Sequence, residues 1–474
     1  MPPRHLASVR LRVFGSVLAV LTAPTVLTAQ IPASTIDSVF RRFEAPGSPG
    51  CALGVVRDGA LAYAKGYGLA SVELGVPITR ATVFDIGSVS KQFTAMSILL
   101  LAQDGKLSLD DDIRKYIPEV PGYSRPITIR HLLHHTSGLR DYIEVLSWSG
   151  VAEEAVTGDR DALEAIARQR APNFTAGAEF RYSNSGFFLL SVIVKRVSGQ
   201  SLRDFAAKRI FAPLGMSQTQ YVDRHEMIVP GKAGSYAPGD HGGFVLALAN
   251  WEQTGDGAVN TTVEDMVKWD GNFVSGTVGG KAALEELQTV GVLNDGKAIT
   301  YALGLTVDKY RGVPRVSHGG AWAGFRAHYL RFPDQAVSIF SLCNLASSNP
   351  GSLNLRVADA LLAGRLGPAE RAGDFTAVPA SRPPSPGAAP PPGLAGRYRS
   401  EELLADWIIT IRGDSVFARP GLGAEFPLLV VSPDTLTAFG TRVTVVRDAG
   451  RITALALDNR GLRNLRLTRV ADVP

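Results

Sequence analysis

Ser88-Val89-Ser90-Lys91 places a hydroxyl nucleophile three residues before an amine that could deprotonate it. Residues i and i+3 share one face of a helix, so both side chains can reach a single point. The tetrad lies where the extended run Thr82 to Ile86 crosses Gly87 and enters the apolar segment Phe93–Leu101. Free backbone N–H groups at such a helix start could receive an oxyanion. The chemistry implied is acyl transfer through a serine ester, because a serine hydroxyl attacks poorly without an adjacent base. Ser-x-x-Lys is common by chance, so its meaning depends on what accompanies it. Tyr182-Ser183-Asn184 offers a phenol that could relay a proton and an amide that could orient a carbonyl or Lys91. His318-Gly319-Gly320 offers small residues where a substrate backbone could lie against a strand edge. The chain has no Gly-x-Ser-x-Gly, which argues against a nucleophile elbow.

These residues need elements to hold them. Residues 35–45 read as a first helix, with Ile36, Val39, Phe40 and Phe43 on one face. Gly50 to Arg57, the pair Asp58-Gly59, and Leu61 to Tyr67 read as a β-hairpin. Helical patterns dominate from Ser88 to about Leu287, including one over Ser185–Val197 that stops at Ser198-Gly199. Thr261-x-x-Glu264 reads as a capping box. A meander returns over Val313–His318, Gly324–Phe332 and Ala336–Cys343. The economical fold is α+β: one antiparallel sheet built from both ends of the domain, with a helical middle. Residues 376–393 form a proline-rich spacer that resists helix and sheet pairing. Beyond it, residues 394–474 alternate short strands and turns, as a small all-β, barrel-like module would.

Composition bounds the rest. The chain has 474 residues, 45% hydrophobic and 20% charged, with a net charge of +5. That excess is small for the length and the signs are interleaved, which disfavours a nucleic-acid partner. Arg4, Arg10 and Arg12 precede an apolar stretch from Val13 to Leu27, and Ala29-Gln30 suits cleavage. Residues 1–29 therefore read as a signal peptide, leaving a periplasmic or secreted protein without a stable membrane span. An uncleaved anchor is the alternative. His131, His134 and His135 could suggest a metal, but no His-Glu-x-x-His or further ligand accompanies them, so a structural role is expected. Asp256, between Gly255 and Gly257, reads as a turn residue, and Trp322, Phe325 and Tyr329 as wall or core.

In order and spacing, the Ser88, Tyr182 and His318 motifs resemble the serine β-lactamase and penicillin-binding-protein superfamily. The likeness is nearest to its class C β-lactamase, D-alanyl-D-alanine carboxypeptidase, D-aminopeptidase and esterase branch. Phe84–Thr94 and Ile129–Leu139 resemble further signatures of that branch, and the likeness covers about residues 35–360. The resemblance implies Ser88, Lys91 and Tyr182 as catalytic residues, with Asn184, His318, Gly319, Gly320 and Ala321 binding substrate. It places the oxyanion hole at the amides of Ser88 and Ala321 and implies neither metal nor organic cofactor. Many members carry Lys-Thr-Gly where this chain has His318-Gly319-Gly320. Histidine there would hold a carboxylate only weakly and pH-dependently. The expected substrates are thus small amides, D-amino-acid peptides or esters, with β-lactams as the rival. A non-catalytic penicillin-binding sensor or scaffold is the alternative from another class. No separate carboxylate base for deacylation stands out. In the family's sheet the first hairpin strand lies beside the last meander strand, so Cys51 and Cys343 could be bonded, or could be two buried thiols.

Overall fold

The computed structural model describes Met1 and residues 33–368, 389–421 and 423–471. The expected signal peptide beyond Met1, and residues 376–388 of the expected spacer, lie outside the described residues.

The first helix, α1 (Ala33–Phe40), ends earlier than its apolar pattern, and Arg41–Glu44 tighten into a 3₁₀ turn. Two strands follow, β1 (Cys51–Arg57) and β2 (Ala60–Tyr67). Asp58 and Gly59 join them with φ of 51° and 78°, the left-handed pair a tight hairpin needs. The meander supplies β3 (Thr306–Tyr310), β4 (Val313–Trp322), β5 (Phe325–Phe332) and β6 (Val337–Cys343). The antiparallel sheet runs β3-β4-β5-β6-β1-β2, so both ends of the domain meet at the β6–β1 pair, as expected.

Strand β3 has no counterpart in the sequence-based reading. It is an edge strand whose Asp308 pairs with Arg315 on β4 at 2.6 Å, so its polar face carries no alternation of buried apolar residues. Strand β4 also runs past His318 to Trp322, carrying both glycines inside the strand.

Register puts Cys51 opposite Cys343 on β1 and β6, and the two are joined by a disulfide. The bond closes a chain separation of 292 residues. Removing it by Cys51→Ser is expected to lower unfolding stability by about 2–4 kcal/mol, chiefly through the freed unfolded chain. Denaturation curves with and without reductant check this. Two titratable thiols in unfolded, unreduced protein would contradict the bond.

The helical middle, α2 (Lys91–Gln103), α3 (Tyr142–Trp148), α4 (Asn184–Ser198) and α5 (Val263–Ser275), shares one core, and α5 lies against one face of the sheet. α4 stops at Gly199, whose φ of 73° forms the left-handed cap. The N-cap of α5 is Thr262, one residue later than expected, and its hydroxyl accepts from the Asp265 N–H. Thr261 instead stays in a short strand and hydrogen-bonds Thr219. The other sheet face is covered by α1 and by α6 (Pro350–Leu361), with Ile36, Phe40, Val357 and Leu361 packed over it.

Residues from Gly396 to Ala471 form eight strands paired in sequence order and closed into a barrel. Closure leaves no strand edge exposed. Its interior, with Trp407, Val416, Leu436, Val443 and Leu467, joins the core of the helical middle. Among the described residues no helix is long and apolar enough to cross a membrane.

Candidate active site

Ser88 lies in a 3₁₀ turn, Gly87–Ser90, and Lys91 opens α2. The nucleophile thus precedes the α-helix instead of belonging to its first turn. Gly87 has φ of 49°, and a Cβ there would sit 2.6 Å from the Ala321 nitrogen. A Cβ on Gly320 would lie 1.9 Å from the Ile86 carbonyl oxygen and 3.2 Å from the Ser88 nitrogen. Only glycine lets turn and strand touch backbone to backbone. The contact brings the backbone at Gly320–Ala321 against that at Gly87–Ser88, where Ser88 and Ala321 line the cleft. Strand β3 pairs with β4 only as far as Ser317, so β4 from His318 to Trp322 has no strand neighbour on that side.

Lys91 is fully buried. Its Nζ donates to Ser88 Oγ at 3.0 Å, to Asn184 Oδ1 at 3.0 Å and to the Asp256 carbonyl at 2.6 Å. Burial strips water from the ammonium and pushes its pKa down to about 8, while the Asp256 and Asp141 carboxylates pull it partly back. Burial also raises Asp256 to about 6, against the pull of Lys91. The Tyr182 ring stands 4.9 Å from Lys91 Nζ. The Tyr182 hydroxyl is buried without a well-formed hydrogen bond. Burial raises its pKa and the neighbouring Ser88 hydroxyl partly offsets this, so the phenol holds its proton.

Two residues outside the sequence-derived set complete the network. Asp141 caps α3, and its Oδ2 accepts from the Asn184 backbone N–H at 2.8 Å and from Asn184 Nδ2 at 2.9 Å. This fixes the Asn184 amide with its oxygen toward Lys91. Asp256 accepts from the Tyr142 hydroxyl at 2.9 Å and turns its carbonyl onto Lys91. The Asp256 segment is tied to the nucleophile helix: Ser90 Oγ accepts from the Val259 N–H at 3.1 Å, and Thr94 Oγ1 donates to the Gly255 carbonyl at 2.7 Å. The Gly-Asp-Gly pattern is visible in sequence, but its partners Tyr142, Lys91 and Thr94 lie 114, 165 and 161 residues away.

His318 lies beside the network, and its role changes. It is buried, with Nδ1 at 2.6 Å from the Gly319 carbonyl and Nε2 at 2.9 Å from the Tyr301 hydroxyl. That pattern assigns the proton to Nδ1 and makes Nε2 the acceptor. Burial, with Lys91 nearby, lowers its pKa to about 3. This runs against the expectation of a pH-dependent carboxylate anchor, because burial favours the neutral imidazole over the ordinary histidine range. Nitrogen NMR shifts of His318 are expected to remain those of a neutral ring where free histidine titrates, and a transition near pH 6.5 would contradict this.

The three histidines of the Ile129–Leu139 segment are engaged with nearby groups. His131 closes a capping box with Thr128, His134 Nδ1 lies 3.3 Å from the Tyr301 carbonyl, and His135 Nδ1 accepts from the Ser183 N–H at 3.2 Å. Trp322 and Phe325 wall the cleft, while Tyr329 is core and donates to Asp270. The cleft encloses about 470 Å³ and exposes Ser88, Tyr182, Asn184 and Ala321, with Trp251 and Leu246 on its wall.

Known proteins share this architecture. A D-aminopeptidase of Gluconobacter oxydans is 32% identical over 66% of this chain and 59% of its own length. Penicillin-binding protein 4* of Bacillus subtilis is 30% identical over 60% of this chain and 66% of its own. The matched segments thus span about three fifths to two thirds of these relatives. The structure of an octameric penicillin-binding protein homologue from Pyrococcus abyssi aligns with a TM-score of 0.62 and 22% identity, covering 92% of this chain and all of that one. That likeness carries the fold, barrel included. The Beta-lactamase family model matches residues 36–364, over the sheet, the helical middle and the Ser88–Lys91–Tyr182 cleft, and the chain belongs to that family.

Proposed function

We propose that the protein is an exported serine hydrolase that cleaves small D-amino-acid amides, peptides or esters through an acyl-enzyme on Ser88. The observation that carries this reading is the buried Lys91 amine, 3.0 Å from Ser88 Oγ, with its pKa lowered to about 8. Roughly a tenth of such a lysine is neutral at pH 7, enough to act as a base. Neutral Lys91 takes the Ser88 proton as Oγ attacks the carbonyl carbon. The developing oxyanion meets the Ser88 and Ala321 amides. As the C–N or C–O bond breaks, Tyr182 passes its proton to the leaving group and regains one from Lys91. Water then attacks the ester, losing its proton to the same pair, and Ser88 Oγ leaves reprotonated. Asp141 and Asp256 are engaged with Asn184 and Tyr142. Lys91 and Tyr182 therefore serve both half-reactions.

Substrate choice follows from the third motif and from the relatives. Where many β-lactamases carry a lysine cation, this chain has an imidazole that burial keeps toward its neutral form, which favours uncharged amides and esters over carboxylate-bearing β-lactams. The cations that line the cleft, Arg224 and Lys232, stand on a different segment. Relatives named D-aminopeptidase support D-amino-acid amides. Export is supported by the N-terminal pattern of residues 1–29 and by the disulfide, which oxidising compartments maintain.

The test is hydrolysis of D-alanyl and L-alanyl p-nitroanilides, p-nitrophenyl acetate and nitrocefin, with mass spectrometry of the quenched enzyme. The expected result is D-amide or ester turnover with an acyl adduct on the Ser88 peptide. Preferential nitrocefin turnover would shift the assignment to a β-lactamase. No turnover and no adduct would favour a non-catalytic scaffold.

A further inference from the structure

The barrel does more than share a core with the helical middle. Its loop Asn459–Arg463 lies against the residues that hold the site. The Asp141 N–H donates to the Gly461 carbonyl at 3.1 Å. A Cβ on Gly461 would come within 2.7 Å of Asp141 Cβ and 2.6 Å of Glu144 Cγ, so no larger residue fits without moving Asp141. Asn173 clamps the loop, its Nδ2 donating to the Gly461 carbonyl at 2.9 Å and its Oδ1 accepting from the Arg463 N–H at 2.7 Å. Asn459 donates to Glu144 at 2.7 Å. Arg463 makes a two-pronged contact with Glu179 at 2.9 Å, and Arg181, next to Tyr182, donates to the Asn459 carbonyl at 3.0 Å. Beside Asp141, the Arg140 side chain is 3% exposed and pairs with Glu402 of the barrel. The barrel therefore grips the chain immediately before Tyr182 and at Asp141, the residue that sets Asn184 against Lys91.

We propose that the Asn459–Arg463 loop is a positioning element of the active site, holding Asp141 and, through Asn184, Lys91 in working geometry. This gives residues 394–474 a role in turnover, and it rests on the reading of Lys91 as the base. A carboxylate displaced by even a fraction of an ångström would loosen the Asn184 amide and weaken its field at Lys91. The groups facing Lys91 are Ser88, Asn184, Asp141, Asp256, Tyr182 and the two neutral imidazoles His135 and His318. Asp141 is the one among them that the barrel touches.

The experiment uses the full chain with Gly461→Val and, as a variant that adds no bulk, Asn173→Ala. The expected result is a fall in kcat of roughly 10- to 100-fold with KM little changed, as for a small misplacement of reacting groups. The acid limb of the kcat/KM profile should also move to lower pH, because the Asp141 carboxylate raises the Lys91 pKa in the intact site. A merely structural role would lower the active fraction, titrated by acylation of Ser88, and leave the limb in place. Wild-type kcat and an unmoved limb in both folded variants would overturn the proposal. If Gly461→Val fails to fold, Asn173→Ala decides by the same two readouts. Ser88→Ala run alongside separates the hypotheses: if it hydrolyses like wild type, the functional reading fails first. If it is inert while the loop variants behave as wild type, the positioning role alone fails.

Discussion

Ser88→Ala is expected to lower turnover at least ~10³-fold on any substrate the protein cleaves, with circular dichroism and melting temperature close to wild type. The size follows from removing the atom on which the proposed acyl intermediate forms, while the rest of the cleft remains. The fold should tolerate the change because the Ser88 hydroxyl supports no other element. Lys91, to which it is hydrogen-bonded, keeps its bonds to Asn184 and the Asp256 carbonyl. No adduct mass should appear on the Ser88 peptide of the variant. Undiminished hydrolysis would mean that the nucleophile lies elsewhere or that water attacks directly.

Lys91→Met should lose activity on the same scale, and the pH profile identifies the reason. An ordinary lysine amine is protonated below pH ~10 and cannot accept a proton from serine. Burial brings the Lys91 pKa from 10.5 down to about 8. Below that pH the group is an ammonium and a poor base, and above it the free amine accepts the Ser88 proton. The wild-type kcat/KM should therefore rise with pH and level off above about pH 8. In Lys91→Met the limb should vanish together with most of the rate. Lys91→Arg keeps a cation but cannot lose its proton, so equal loss in both variants would show that basicity, and not charge, is required. An acid limb that persists in Lys91→Met would assign the titration to another group, Asp256 being nearest.

Much of this site was legible because its motifs are short and local. Ser88 and Lys91 are three residues apart, and the loop–helix boundary at Tyr182–Asn184 shows in the apolar pattern after it. The hairpin at Asp58-Gly59 and the meander carry alternation and turn chemistry strong enough to place the sheet. Other residues were illegible for a physical reason. Asp141 and Asp256 are ordinary acids in sequence, one a helix cap and the other between glycines. Their partners, Asn184 and Lys91, lie 43 and 165 residues away. Strand β3 is illegible in sequence because an edge strand need not bury alternate side chains.

His318 shows the division plainly. Its residue type suggested a titrating anchor, because an isolated imidazole titrates near neutrality. Packing between Tyr301, Gly319 and Lys91 removes water and so favours the neutral ring.

By itself the sequence determined the candidate nucleophile–base pair, the order of the motifs, the sheet made from both ends of the domain, and the β-rich C-terminal segment. These follow from local spacing, turn residues and periodicity, which act over a few residues. Only the tertiary structure decided the direction in which burial shifts Lys91 and His318, the support of Asn184 by Asp141, the Cys51–Cys343 bond, and the barrel's hold on Asp141. Those depend on burial and on pairs brought together from distant parts of the chain, and neither burial nor distant pairing is written in residue order.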